Sequence, residues 1–98
     1  MTCILQVIFF TIDIIFGRKI IVMSLTIAVH LASGFEEIEA VCVIDVLRRA
    51  GLDVKVVSVI GKYEVTGAHQ IQFVADILFE QMDYSDVYMI VLPGGNDR

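Results

Sequence analysis

The stretch that decides the fold is residues 32–59, ASGFEEIEAVCVIDVLRRAGLDVKVVSV, which has the pattern of a helix leading into a strand. Ser33 and the glutamate three residues later match a capping box, in which side chains bind free N–H groups of the first helical turn. We therefore expect a helix from Phe35 to Ala50, which Gly51 ends. Before it, the branched apolar residues Leu25 to Ala32 predict a buried parallel strand.

The rest of the chain extends this pattern in the carboxyl-terminal direction. Residues 53–61, DVKVVSVIG, alternate as a second strand, and residues 62–76 predict a hairpin that turns around 66–68. A short helical turn is expected between 78 and 85, and residues 87–95, VYMIVLPGG, predict another buried strand that runs into a flexible turn. The order strand, helix, strand, hairpin and strand predicts an α/β protein with a mostly parallel sheet and flanking helices.

The first 22 residues differ in composition from the rest of the chain. They are strongly apolar, but they have no basic start or small-residue cleavage site, and they contain Asp13. These features argue against a signal peptide, and a carboxylate at mid-bilayer costs about 2.5–3.5 kcal/mol. We expect Met23 to be the natural start, with residues 1–22 outside the fold and residues 23–98 forming one partial domain. A membrane anchor, or an added helix or strand, is the alternative for residues 1–22.

Composition narrows the class of protein. The net charge is −5 and the few basic residues are dispersed, which argues against a nucleic-acid partner. Cys3 and Cys42 lack the spacing of a metal site or a disulfide framework, so we expect no metal and no cofactor. This cysteine usage is typical of the reducing cytoplasm, where we place the protein.

One glutamate of the predicted helix stands out by its position. At 100° per residue, one stripe of the helix contains Phe35, Glu39, Val43, Val46 and Ala50. Glu39 is thus predicted to lie among core residues, Glu36 near the cap, and Glu37 on the polar side. A carboxylate in an apolar setting must find hydrogen-bond partners or hold a proton. Glu39 therefore either bonds to local backbone or acts as a proton-sharing group beside a reactive one.

Three segments in this order, residues 32–59, 61–76 and 87–95, resemble the amino-terminal half of the ThiJ/PfpI family, whose members include a deglycase. The GFEEIEA and DVLRRAG motifs are the specific part of this resemblance. It implies a flavodoxin-like fold, similar to that of class I glutamine amidotransferases, and usually a homodimer. It further implies glyoxalase or protein deglycase chemistry on small reactive aldehydes or glycated substrates, by means of a nucleophilic cysteine.

The resemblance also assigns roles to individual residues. The last glutamate of GFEEIE, which is Glu39 here, corresponds to the catalytic partner of the family's reactive cysteine. Gly94 and Gly95 correspond to a turn that borders the pocket, where backbone N–H groups are available to an oxyanion. Cys42 stands where the family often has threonine and Ser33 where aspartate is common, both of which look tolerable. Cys42 itself is expected to be a small packing residue, and His30 and His69 are expected to be structural or solvated.

A second face of the helix is a candidate for self-association. It mixes apolar side chains with an opposite-charge pair four residues apart, and consists of Ile38, Val41, Cys42, Asp45 and Arg49. In the family this helix contributes to the dimer contact. The alternative for the same residues is a solvated face with scattered apolar side chains.

The sequence has no cysteine or histidine after Gly95, where the family's reactive cysteine would follow. We therefore expect a truncated family member that is not catalytic alone and that is unstable, associated or dependent on a partner. The alternative function is a non-enzymatic stress-response or interaction module, tethered to a membrane if residues 1–22 serve as an anchor.

Overall fold

In a computed structural model of the chain, residues 26–95 are described. The elements are β1 (Thr26–Leu31), α1 (Glu37–Arg49), β2 (Asp53–Ser58), β3 (Glu64–Thr66), β4 (Gln72–Val74), β5 (Ile77–Leu78), a 3-10 helix (Phe79–Gln81) and β6 (Val87–Val91). Every element predicted from the sequence within this range is present, but β6 is not the buried strand that was expected, since Tyr88 and Ile90 are 43% and 55% exposed. The short strand β5 was not predicted, because two residues carry no periodic signal.

Four parallel strands form the main sheet in the order β5, β2, β1, β6. Strands β3 and β4 pair antiparallel in a separate hairpin. β1 lies in the interior of the sheet, paired over its length with β2 and on its other side with β6. The predicted α/β class and mostly parallel sheet are therefore confirmed.

Helix α1 covers one face of the sheet and forms the core with it. Its buried apolar residues are Ala40, Val43 and Leu47. They join the inward-facing side chains of β1 and β2, which are Ile27, Val29, Leu31, Val54 and Val56, in one buried cluster. Residues 27–31 of β1 are all buried, as expected for a strand with neighbours on both edges and helix cover.

The start of α1 differs from the predicted capping box. The helix begins at Glu37, its N-cap is Glu36 without a side-chain capping bond, and Ser33 is exposed. Between β1 and α1 the chain makes a turn, in which the Phe35 N–H binds the Ala32 carbonyl and Gly34 has a φ of 85°. This turn moves the helix start beyond the reach of Ser33. At the other end, the prediction for Gly51 is confirmed, since it follows the helix with a φ of 86°.

Our predictions for residues 1–22 lie outside the described residues. Within residues 26–95, no helix has the length and apolar character that a membrane crossing requires.

Candidate functional site

A pocket of about 240 Å³ opens at the carboxyl ends of β1 and β6. It is lined by His30, residues 32–35, Val59 and residues 92–95. Neighbouring parallel strands end at the same edge of a sheet, which is the edge where folds of this class bind ligands. Gly94 and Gly95, predicted from the sequence to border a pocket, both lie in this wall.

Glu39 connects helix α1 to the pocket wall. Its Oε1 accepts a hydrogen bond from the Gly94 N–H at 2.7 Å, and the Gly94 carbonyl accepts one from the Glu36 N–H at 2.7 Å. A Cβ atom at position 94 would lie 2.8 Å from Glu39 Oε1, so only glycine fits here without displacing the carboxylate. The family resemblance implied that the backbone N–H groups of this turn are available to an oxyanion, and in the structure the Gly94 N–H donates to Glu39.

The predicted stripe of the helix was wrong about which glutamate is buried. The buried positions are Glu37, Ala40, Val43 and Leu47, whereas Glu39 is half-buried at the flank. Glu37, assigned to the polar side, has only 4% of its surface exposed. The spacing from Glu37 to Ala40, Val43 and Leu47 is itself a helical i, i+3, i+6, i+10 pattern.

Glu37 tolerates burial because the segment around His69 supplies hydrogen bonds to both carboxylate oxygens. Oε2 accepts the N–H of His69 at 2.7 Å and that of Ile71 at 3.3 Å, and Oε1 is 2.9 Å from His69 Nδ1. Gly67 makes room for this group, since a Cβ there would overlap the carboxylate. The carboxylate therefore ties α1 to the turn between β3 and β4.

These contacts perturb both ionisable groups. Burial raises the pKa of Glu37, but hydrogen bonds from the His69 side chain and from backbone N–H groups outweigh it and hold the pKa at about 2. The hydrogen bond to Glu37, with the charges of Glu36 and Glu37, raises the pKa of His69. His69, expected to be structural or solvated, is exposed and hydrogen-bonded to Glu37.

His30 forms part of the pocket wall and of an aromatic cluster on the opposite side of the sheet from α1. Its Nε2 lies 2.6 Å from the Tyr84 hydroxyl, and the two rings stack at a centroid distance of 5.8 Å. Only 9% of the residue is exposed. Burial lowers the pKa of His30, and contacts with the backbone of Val91 and Ala28 offset part of this effect.

Four of the five residues predicted for self-association, all except Cys42, are exposed on the outer side of α1. Ile38 and Val41 are 58% and 47% exposed, and Arg49 Nε lies 3.0 Å from Asp45 Oδ1 in an exposed ion pair. Cys42 is a free, half-buried cysteine that packs against the core. An apolar groove of about 340 Å³ runs between this side of α1 and the hairpin residues Ile71 and Phe73.

The fold and this pocket geometry define an α/β domain with a glutamate linked to a glycine turn, and comparison with known proteins identifies the family. The sequence profile of the DJ-1/PfpI family matches residues 25–98. Protein DJ-1 homolog A of Arabidopsis thaliana is 46% identical over 70 residues, which is 71% of this chain and 18% of that protein. Protein dj-1beta of Drosophila melanogaster is 38% identical over 73 residues, which is 74% of this chain and 39% of that protein.

Solved structures agree with the sequence comparison. Oxidized Toxoplasma gondii DJ-1 superposes with a TM-score of 0.69 at 38% identity, covering 72% of this chain and 39% of the other. Drosophila melanogaster DJ-1beta gives a TM-score of 0.69 at 38% identity, covering 74% and 39%. The chain belongs to the DJ-1/PfpI family, which confirms the resemblance to the ThiJ/PfpI group and the flavodoxin-like fold. It spans well under half the length of these relatives.

Replacing the buried carboxylate should loosen the turn that it holds. In Glu37→Gln, one oxygen becomes an NH₂ group and the charge is lost, so the N–H groups of His69 and Ile71 lose a strong acceptor. We expect their amide hydrogen exchange to accelerate roughly tenfold or more and the unfolding temperature to fall. The exposed Glu64→Gln is the matched control, with both quantities near wild type. Unchanged exchange in Glu37→Gln would show that the carboxylate does not hold the turn.

The buried His30 should make stability fall in acid. Its pKa is lower in the folded chain than the ordinary value of 6.5, so the unfolded chain takes up its proton first. Its contribution is therefore complete above about pH 6.5 and declines as the pH falls towards the folded-state pKa. Urea midpoints measured from about pH 8 to pH 5 should decline more steeply in wild type than in His30→Phe. Because His69 titrates in both proteins, its effect cancels when the two are compared. Equal dependence of the urea midpoint on pH in both proteins would contradict the role given to His30.

Proposed function

We propose that this domain supplies Glu39 and the Gly94 turn to a cysteine-dependent active site for glyoxalase or protein deglycase chemistry on small reactive aldehydes or glycated substrates. The observation that carries the proposal is the 2.7 Å hydrogen bond between Glu39 and the Gly94 N–H, at the edge of the pocket. It brings the motif glutamate and the glycine turn, 55 residues apart, into contact. The volume of about 240 Å³ suits a small aldehyde rather than a large ligand.

The chemical role follows from what a partly buried carboxyl group can do beside a thiol. A thiolate is the attacking form of cysteine, and a carboxyl group within hydrogen-bond reach can take or return its proton. Glu39 is half-buried and held in place by a backbone N–H, so its other oxygen, Oε2, is the one to face a reacting group. Cys42 packs against the core and is not placed in this role.

In this proposal the nucleophilic cysteine belongs to the part of the family domain that follows the Gly94 turn, and residues 1–98 alone are not catalytic. The relatives extend far beyond the matched region, which agrees with a site completed by further residues. We place this chemistry in the cytoplasm, where thiols stay reduced.

The role of Glu39 can be tested in a chimera in which residues 25–95 replace the matching segment of Drosophila melanogaster dj-1beta. We expect the chimera to consume methylglyoxal and the 98-residue chain to be inactive. Glu39→Gln in the chimera should lower kcat/KM by roughly 10²–10⁴, the range of a lost acid–base group. Glu64→Gln, an exposed glutamate away from the pocket, is the control and should remain within about threefold of the unsubstituted chimera.

Each outcome of this experiment decides one element of the proposal. Turnover that survives Glu39→Gln would remove Glu39 from the mechanism while leaving the pocket. A folded chimera without activity would exclude the reaction. Turnover by the 98-residue chain alone would contradict the claim that it needs further residues.

A second function, self-association as an interaction module, is supported by the apolar groove beside α1. Ile38 and Val41 are exposed on one side of this groove and Ile71, which is 53% exposed, on the other. Exposed apolar side chains that adjoin in this way mark interaction surfaces. The proposed occupant is a second copy of the chain, because one helix face packing on its own copy forms a closed, two-fold symmetric dimer.

Sedimentation equilibrium tests this surface directly. We expect the chain to sediment as a dimer and Val41→Asp to shift it to monomer, since the new carboxylate would be buried in the contact. Ile90→Asp is the matched control, because Ile90 is 55% exposed on β6, away from the groove. A dimer that persists in Val41→Asp, or that Ile90→Asp disrupts equally, would exclude this groove as the interface.

A further inference from the structure

Three side chains with metal-binding atoms meet beside the start of α1, on the other side of the helix start from the Glu39 contact. Glu36 and Glu37 precede and begin the helix, and His69 reaches them from the turn between β3 and β4. His69 Nδ1 lies 2.9 Å from Glu37 Oε1 and 3.6 Å from Glu36 Oε1. One ligand atom from each residue lies within 4.8 Å of the other two. The fold thus assembles a His-Glu-Glu group that no sequence spacing reveals.

These separations suit one small metal ion. Zinc binds imidazole nitrogen and carboxylate oxygen at about 2.0–2.2 Å, which places the ligand atoms of a tetrahedral site about 3.3–3.6 Å apart. The 3.6 Å from His69 Nδ1 to Glu36 Oε1 fits this range, and the 2.9 Å from His69 Nδ1 to Glu37 Oε1 would lengthen by roughly 0.4 Å around a shared ion. His69 is the residue that would adjust, since its side chain is 66% exposed whereas that of Glu37 is 6% exposed.

The buried member of the group is oriented in advance. Two backbone N–H groups hold Glu37 Oε2, from His69 and Ile71, so that Oε1 points at the imidazole. Hydrogen bonds of this kind, which fix a ligand's orientation, are typical of protein metal sites. The absence of a side chain at Gly67 provides the space in which this carboxylate lies.

The charge of this group and its access to solvent also favour a divalent ion. With a neutral imidazole the group carries two negative charges, which a divalent ion balances better than the single proton of a His69 imidazolium. The side chains are 6%, 30% and 66% exposed for Glu37, Glu36 and His69, so the site has one buried anchor and an open outer side for water. We propose that Glu36, Glu37 and His69 form a binding site for Zn²⁺ or a similar divalent transition-metal ion. The proposal rests on neither Glu39 nor the pocket.

Calorimetric titration of the 98-residue chain with ZnCl₂ tests the site, in a background of Cys3→Ser and Cys42→Ser so that thiols do not bind the metal. We expect one Zn²⁺ per chain with a Kd in roughly the micromolar range. His69→Phe removes the nitrogen ligand at an exposed position and should weaken binding at least tenfold, as should Glu36→Gln. Glu64→Gln should bind as the background protein does. Visible absorption of bound Co²⁺ would report the ligand geometry independently.

The competing explanation is an ion pair only, in which His69 holds a proton between the two carboxylates. It predicts no saturable Zn²⁺ binding, or binding that is equal in His69→Phe, and either result overturns the metal site. Displacement of Zn²⁺ by an equal concentration of Mg²⁺ would also overturn it, since Mg²⁺ prefers oxygen ligands alone. None of these measurements depends on catalytic activity, so their failure leaves the proposed function intact.

Discussion

This part of the molecule depends on the hydrogen bonds between the buried carboxylate of Glu37 and the turn that contains His69 and Ile71. The carboxylate is an expensive group to bury, and it is stable only because the turn around His69 and Ile71 surrounds it with N–H donors. The same hairpin also bonds to the segment between β1 and α1. The Gly34 N–H donates to the Thr66 carbonyl, and the Ala68 N–H donates to the Phe35 carbonyl. The hairpin, the helix start and the end of β1 are therefore held together as one unit.

This unit determines the position of the pocket. With the helix start fixed, Glu39 reaches Gly94, which lies three residues beyond the end of β6, and the Glu36 N–H binds the Gly94 carbonyl. Two neighbouring glutamates of one motif thus have different tasks. Glu37 connects the helix to the hairpin, and Glu39 connects it to the turn after β6, so the GFEEIE motif joins both sides of the same sheet edge.

Most of the fold could be predicted from residues alone, because apolar runs and turn residues are local signals. The strand before Ser33, the helix ended by Gly51 and the strand before Pro93 were all read in this way. The predicted capping box was wrong, since a turn that contains Gly34 separates Ser33 from the start of the helix. The predicted buried stripe of the helix, which included Glu39, was wrong for another reason. A periodicity of 3.6 residues fits more than one face of the helix, and only packing against β1 and β2 selects the buried face.

The sequence by itself determined the family and the candidate Glu39 through the order of its motifs, and the parallel sheet through its hydrophobic periodicity, because both are properties of the chain. Only the tertiary structure decided which glutamate is buried, that Gly94 binds Glu39, and that His69 joins Glu36 and Glu37. Each of these contacts joins residues 32 to 55 positions apart. The physical reason is that a buried carboxylate is tolerated only where N–H groups hydrogen-bond to it. Here those N–H groups are distant in sequence, and only the fold brings them to the carboxylate.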